Sequence, residues 1–401
     1  MGKIPEDWRA ARLVDVADYI NGYAFSPEDW KSEGLPIIRI QNLNDPNVEF
    51  NHFDGEIDDR YIVEDADLLF AWSASIGVYI WNRGRAVLNQ HIFKVIPKEK
   101  IDRHFLYYAL FVGTEQLENR VHGSTMKHFK RGELKMAYVP LPPVEEQEGI
   151  VGVLGVVDSA IELVDRVIWK TERLKKGLMQ TLLTRGIGHK EFKDTEIGKI
   201  PEEWKVFKLR DVCYKIQDGT HFSPKPQPAG VPYVTSKNIR SWGIDLTDII
   251  CVAPKDHLEI FKRCDPKLGD LLYVKDGVNT GTVTVNTLAY EFTLLSSVAM
   301  IRPNPDFLEP WFLKYALDSP NLKKRHLGVM TGTAIRRLTL DRIKNLKVPV
   351  PNMAEQRKIS EILSTIDTKS RLEDKKKAKL QRIRRGLMDL LLTGKVRVKV
   401  D

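Results

Sequence analysis

Two long stretches of the chain carry apolar residues in the same spacing. In the first they fall at Ile150, Leu154, Val157, Ile161, Val164 and Ile168, then at Leu178 and Leu182. Steps of four and three alternate, which lines one side of an α-helix with a seam. The seam is interrupted at Thr171 and Lys175. The second stretch follows Pro351, with Ile359, Leu363, Ile366, Leu380, Leu387 and Leu391 in the same register around a charged centre, Glu373-Asp374-Lys375-Lys376-Lys377. Neither stretch contains proline. A helix from Val144 to Leu183 would be about 60 Å long at ~1.5 Å per residue. Two such helices bury their stripes against each other, and the expected arrangement is an antiparallel pair.

The rest of the pattern is different. Short runs rich in β-branched and aromatic residues, bounded by turn residues, predict strands at Pro36–Ile40, Asp67–Trp72, Val78–Trp81 and Ile92–Ile96. Val231–Thr235, Asp270–Val274, Gly281–Val285 and Val298–Arg302 match them in the second half. One helix follows each set, over His104–Phe111 and Pro310–Leu317, the latter with proline suited to a first helical turn. The fold class is α+β.

The chain says nearly everything twice. Gly2-Lys3-Ile4-Pro5-Glu6-Asp7-Trp8 returns as Gly198-Lys199-Ile200-Pro201-Glu202-Glu203-Trp204. Asp67-Leu68-Leu69-Phe70 returns as Asp270-Leu271-Leu272-Tyr273, and Val139-Pro140-Leu141-Pro142 with Glu146-Gln147 as Val348-Pro349-Val350-Pro351 with Glu355-Gln356. Gly177-Leu178-Met179 and Leu182-Leu183-Thr184 return as Gly386-Leu387-Met388 and Leu391-Leu392-Thr393. The offset between copies widens only within the strand-rich parts and is constant along the helical ones. A period of half the chain is a duplication, not a solenoid, and implies an internal pseudo-twofold repeat with a variable globular part and a length-fixed scaffold in each half.

Composition narrows the classes. The 401 residues suggest two or three domains, and 42% hydrophobic content is that of a globular chain. Lys and Arg number 62 against 54 Asp and Glu, a net charge of +8 that fits an anionic partner without requiring one. No apolar run approaches the length of a membrane span, the first residues do not read as a signal peptide, and Cys213, Cys251 and Cys264 form no C-x-x-C pair. The expectation is a reduced, cytoplasmic chain with no metal site. Catalytic motifs are missing as well. There is no P-loop and no H-E-x-x-H, and Asn304-Pro305-Asp306-Phe307 lacks the second proline of the N-P-P-[YF] motif of amino-methyltransferases. The chain reads as non-catalytic.

Pro140–Ile150 (PLPPVEEQEGI) and Pro349–Ile359 (PVPNMAEQRKI) resemble the segment that opens the conserved helices of type I restriction–modification specificity subunits. Thr195–Trp204 (TEIGKIPEEW), the helix ends Lys176–Thr184 and Arg385–Thr393, and Gln217-Asp218-Gly219-Thr220-His221 are similar to the same family, so the resemblance covers the whole chain. It implies a first target-recognition domain at 1–143, a central conserved helix and linker at 144–195, a second recognition domain at 196–351 and a C-terminal conserved helix at 352–401. It also implies double-stranded DNA as ligand, a docking surface for two methyltransferase subunits, and restriction subunits that act as motor and nuclease. S-adenosylmethionine, ATP and Mg are expected on those partners and none on this chain. Asn21-Gly22-Tyr23-Ala24-Phe25 stands where the second half has Asp218-Gly219-Thr220-His221-Phe222, so the two domains should read different half-sites of a bipartite, asymmetric target. Half-sites on one face of DNA lie roughly 34–36 Å apart, within the span of such helices.

Base edges are read by donor–acceptor side chains, Arg on guanine and Asn or Gln on adenine. In turn-like contexts the candidates are Arg39, Gln41, Asn42, Trp72, Ser73, Asn89, Gln90 and His91, and then His221, Lys237, Asn238, Lys275, Asn279 and Ser296. Lys127, Lys130 and Arg131, and their counterparts Arg336 and Arg337, are candidates for phosphate. The alternative is a two-domain interaction scaffold without a DNA role.

Overall fold

The structure is a computed structural model that describes residues 4–73, 75–120, 133–328 and 337–399. It divides into two compact units, residues 1–164 with 376–401, and residues 165–375. The division cuts the two long helices and not the loops. Each unit holds one globular part, the near half of one long helix and the far half of the other.

The first long helix is Val144–Arg185, 42 residues, and the second is Met353–Leu391, 39 residues. In the first unit Ile150 and Leu154 share a core with Met388, Leu391 and Leu392, so the start of one helix meets the end of the other. In the second unit Met179, Leu182 and Leu183 share a core with Ile359 and Leu363. Within each unit the segments run antiparallel, as expected. Ile150, Leu154, Val164, Ile359, Leu363 and Leu391 are buried, while Val157, Ile161, Ile168, Ile366, Leu380 and Leu387 are partly buried. The interruption of the seam has a physical explanation. Thr171 is buried at its place on the inner face, and Lys175 forms an ion pair of 2.5 Å with Asp367. The first unit has the equivalent pair with the helices exchanged, Arg384 to Asp158 at 2.6 Å.

These carboxylates also receive a tyrosine each. Tyr108 donates to Asp158 at 2.7 Å and Tyr315 to Asp367 at 2.8 Å. Burial pushes both phenols well above the ordinary tyrosine range. For Asp367, burial disfavours the charge but is outweighed by Lys175 and Lys314, and the carboxyl titrates below its usual range. Lys314 is fully buried with its Nζ 3.7 Å from Asp367, 3.8 Å from Asp318 and 4.2 Å from the Tyr315 ring centroid. Burial lowers its pKa.

The duplicated motifs explain themselves at the mouth of each helix. Trp8 donates through Nε1 to Glu146 at 2.9 Å, and Trp204 to Glu355 at 3.0 Å. The next residue, Gln147, takes the amide of Asp102 and donates to the carbonyls of Lys100 and Pro142. Gln356 repeats this with Glu309, Phe307 and Pro351. The third partner differs: Arg397 joins Glu146 and Asp7 in the first unit, and the His189 ring joins Glu355 at 2.9 Å in the second. The proline-rich segments before the helices are strands, Tyr138–Leu141 paired with Arg9–Arg12 and Lys347–Val350 paired with Lys205–Lys208.

The globular parts repeat one topology. An antiparallel sheet in the order Ala17–Asn21, Ile92–Pro97, Leu68–Ala71, Gly77–Ile80 corresponds to Cys213–Asp218, Val298–Pro303, Leu271–Val274, Val283–Val285. A smaller sheet centred on Leu35–Ile38 or Val231–Val234 stands beside it, and in both units that strand pairs parallel to a neighbour, Ala86–Leu88 or Thr293–Leu294. The expected strands are found within a residue or two, as is the helix Pro310–Asp318, while the helix expected over His104–Phe111 runs Arg103–Arg120, nine residues past its expected end. The sequence reading missed the helix Pro254–Arg263 and the strands Ala17–Asn21 and Cys213–Asp218. Asn304 caps its own loop by accepting from the Asp306 amide, so that segment is a turn between strand and helix.

Two outcomes follow from these contacts. Asp367→Asn leaves Lys175 without its counter-charge and the buried Lys314 with Asp318 alone, and should cost about 3 kcal/mol, the low end for breaking a buried pair. Asp158→Asn strips one cation only and should cost less; chemical denaturation of both variants measures the difference. His326 is the second case. Burial pushes its imidazole down to about 4 from an ordinary 6.5. The folded form therefore holds it neutral, its contribution is intact above pH 6.5, and stability falls as the pH drops from 6.5 toward 4 because the unfolded chain protonates first. His326→Leu should flatten that part of a stability–pH profile.

Candidate nucleic-acid interface

In each unit four chain segments meet at one end of the larger sheet. In the first unit the amide of Tyr23 donates to the Leu88 carbonyl, that of Gln90 to Tyr23, that of Asn89 to Ile38 and that of Trp72 to His91. In the second, Thr220 donates to Leu294, Ser296 to Thr220, Leu295 to Val234 and Lys275 to Ser297. The two braces are the same set of main-chain bonds. Gly22 and Gly219 are required there, since a side chain on either would overlap the carbonyl of Asn89 or of Leu294.

Most of the candidates lie on these segments. Arg39 packs its guanidinium 4.8 Å from the Trp30 ring and donates to Asn51 at 3.0 Å. Trp72 donates to Asn21 at 3.2 Å, lies edge-on to His91 with centroids 4.9 Å apart, and stacks on Phe93. Asn89, Gln90 and His91 are partly buried, and His91 sits in the left-handed region with φ 74°. The Asn89 side chain accepts from the amide of Gln90. Gln41 is exposed, as are His221, Lys237 and Asn279, and Ser296 is partly exposed.

Four candidates are corrected. Asn42 is fully buried, and its amide accepts from the Arg39 amide and donates to the carbonyls of Val48 and Glu49. Asn238 does the same with Thr235 and Asp245. Both are loop braces whose hydrogen-bonding groups are engaged inside the protein, so they do not present a free amide to a base. Ser73 is buried. Lys275 is buried too, with its ammonium 2.8 Å from Asp276 and 3.5 Å from Asp218. Arg337 is exposed and pairs with Asp276 at 3.3 Å. Lys127, Lys130, Arg131 and Arg336 lie outside the described residues.

The residues that sequence reasoning missed are partners rather than isolated side chains. Asn21 was visible only as a difference between the halves, and it is the acceptor for Trp72. Arg263, at the end of the missed helix, donates through Nη2 to Asp218 at 2.6 Å and lies 3.3 Å from His221. Asp218 and Lys275 stand where the first unit has Asn21 and Trp72, so an ion pair replaces a neutral contact at the same point of the same scaffold.

The sequence matches the family model described as the type I restriction modification DNA specificity domain twice, over residues 5–172 and 201–382. The type I restriction enzyme MjaVIII specificity subunit of Methanocaldococcus jannaschii is 29% identical, with 99% of this chain and 95% of the relative aligned. The EcoBI specificity subunit of Escherichia coli is 26% identical, with 89% and 78% aligned. Among solved structures, the S subunit of a type I restriction–modification system from M. genitalium has a similar fold, with a TM-score of 0.61 at 18% identity over 98% of this chain and 97% of that one. No helix among the described residues is long and apolar enough to cross a membrane. Matched in both of its halves, the chain belongs to the type I restriction–modification DNA specificity family.

Proposed function

We propose that this specificity subunit reads a bipartite, asymmetric DNA target, one half-site per unit, and carries no chemistry of its own. The observation that supports the reading best is the shared main-chain brace with different side chains on it. Neutral aromatic and amide groups occupy it in the first unit, and a network of charges in the second. A common backbone frame with different donors and acceptors suits two different base sequences. A net charge of +8 favours a polyanion.

The long helices take two roles in this proposal: they set the gap between half-sites, and they dock two methyltransferase subunits. S-adenosylmethionine belongs to those subunits, and ATP and Mg to restriction subunits that add translocation and cleavage. Gln41, Gln90 and Trp72 are the proposed DNA-facing groups of the first unit, with His221, Lys237, Asn279 and Ser296 in the second.

A domain exchange tests this reading. Replacing residues 1–143 by the equivalent part of a relative with a known target should change one half of the methylated motif and leave the other half and the gap as they were. The readout is the methylome of a host that expresses the hybrid with its methyltransferase partners. If both halves change together, the one-unit, one-half-site reading is wrong.

A further inference from the structure

Where the first unit has only the short turn Asp59–Tyr61, the second has a ten-residue helix, Pro254–Arg263. Its apolar side buries His257 and Ile260. Its last residue, Arg263, reaches the four-segment brace, next to Asp218 and His221. Three properties set this arginine apart. Its Nη2 is anchored at 2.6 Å to Asp218, a carboxylate whose side chain is only 3% exposed. Its own side chain is 49% exposed. Its Nε and Nη2 also reach the side-chain oxygen of Gln217, at 2.5 and 2.9 Å, whereas its Nη1 has no hydrogen-bond partner among the described residues.

Asp218 is in turn fixed from below by Lys275 at 3.5 Å, and Lys275 by Asp276 at 2.8 Å. A buried carboxylate thus holds one end of a guanidinium whose other end faces outward. The last turn of a helix also favours a cation. An ordinary surface arginine loses rotamer freedom when it engages a ligand. This one is already held. A pre-positioned guanidinium whose Nη1 donors remain unpaired suits the O6 and N7 acceptors that guanine presents in the major groove.

We propose that Arg263 reads a guanine in the half-site of the second unit, and that Asp218 is its positioning residue. The first unit has Asn21 and Trp72 at the positions of Asp218 and Lys275, and so lacks the buried acid that would hold such an arginine. The inference rests on the DNA-reading role proposed above and adds a residue and a base to it.

The test uses the complete methyltransferase complex containing the full chain, with methylome sequencing and binding to a set of duplexes that differ at each position of the target. Arg263→Ala should relax the preference for guanine at one position of one half-site, lowering discrimination on the order of tenfold or more, with the other half-site unchanged. Arg263→Lys should restore the salt dependence of binding but not the preference, because an ammonium lacks the planar fork. Asp218→Asn should weaken the preference at that same position. A thermal melt of Arg263→Ala within a degree or two of the parent chain shows that the fold is kept. Equal loss of binding to all duplexes, with no change in preference, would make Arg263 a structural brace and overturn the proposal. If the parent complex methylates no bipartite motif, it is the DNA-reading role itself that fails.

Discussion

Each unit is closed by one carboxylate on one long helix and one cation on the other. Asp158 meets Arg384 in the first unit and Asp367 meets Lys175 in the second, each at a point where an apolar seam residue would otherwise stand. An apolar seam alone tolerates sliding by a heptad, because every leucine is much like the next. A single ion pair backed by a tyrosine is satisfied in one register only. The globular parts depend on that register, since Tyr108 and Tyr315 belong to their helices and bind the same carboxylates. The polar break in the seam is thus the point at which scaffold and reading domain are joined.

The loops at the other end follow a similar economy. Their shape comes from main-chain bonds, two buried asparagines and two glycines that admit no side chain. None of these groups is available to a ligand. The side chains that face outward are therefore decoupled from those that hold the frame, and the same frame carries tryptophan and asparagine in one unit and lysine and aspartate in the other.

How much of this was legible in the sequence depended on range. The seam was legible because residues three and four apart lie on one helix face, and the repeat because its motifs are long. The purpose of the motifs was not. Trp8 and Glu146, or Gln356 and Glu309, are distant in sequence, and only folding makes them partners. The same limit misassigned Asn42, Asn238 and Lys275, which have the chemistry of base readers and are engaged in the interior. Arg263 escaped notice because its value lies in the buried acid beside it. The helix that carries it has proline at its start and a short amphipathic face, a weak signal over ten residues.

The composition of the units bears on how the chain is made. The first unit draws on residues 1–164 and again on residues 376–401, two segments that flank the second unit in the sequence. The second is a single uninterrupted segment, residues 165–375. On a ribosome, which releases the chain from its N-terminus, the second unit has all its parts while the first still waits for Arg384, Met388 and Arg397. Until these emerge, the core around Ile150 and Leu154 lacks Met388, Leu391 and Leu392, Asp158 has no cation, and the acid pair Asp7 and Glu146 has no arginine between its members. The half whose synthesis begins first is completed after the other, and a nascent chain that stalls within the second long helix leaves that half's core without Met388, Leu391 and Leu392.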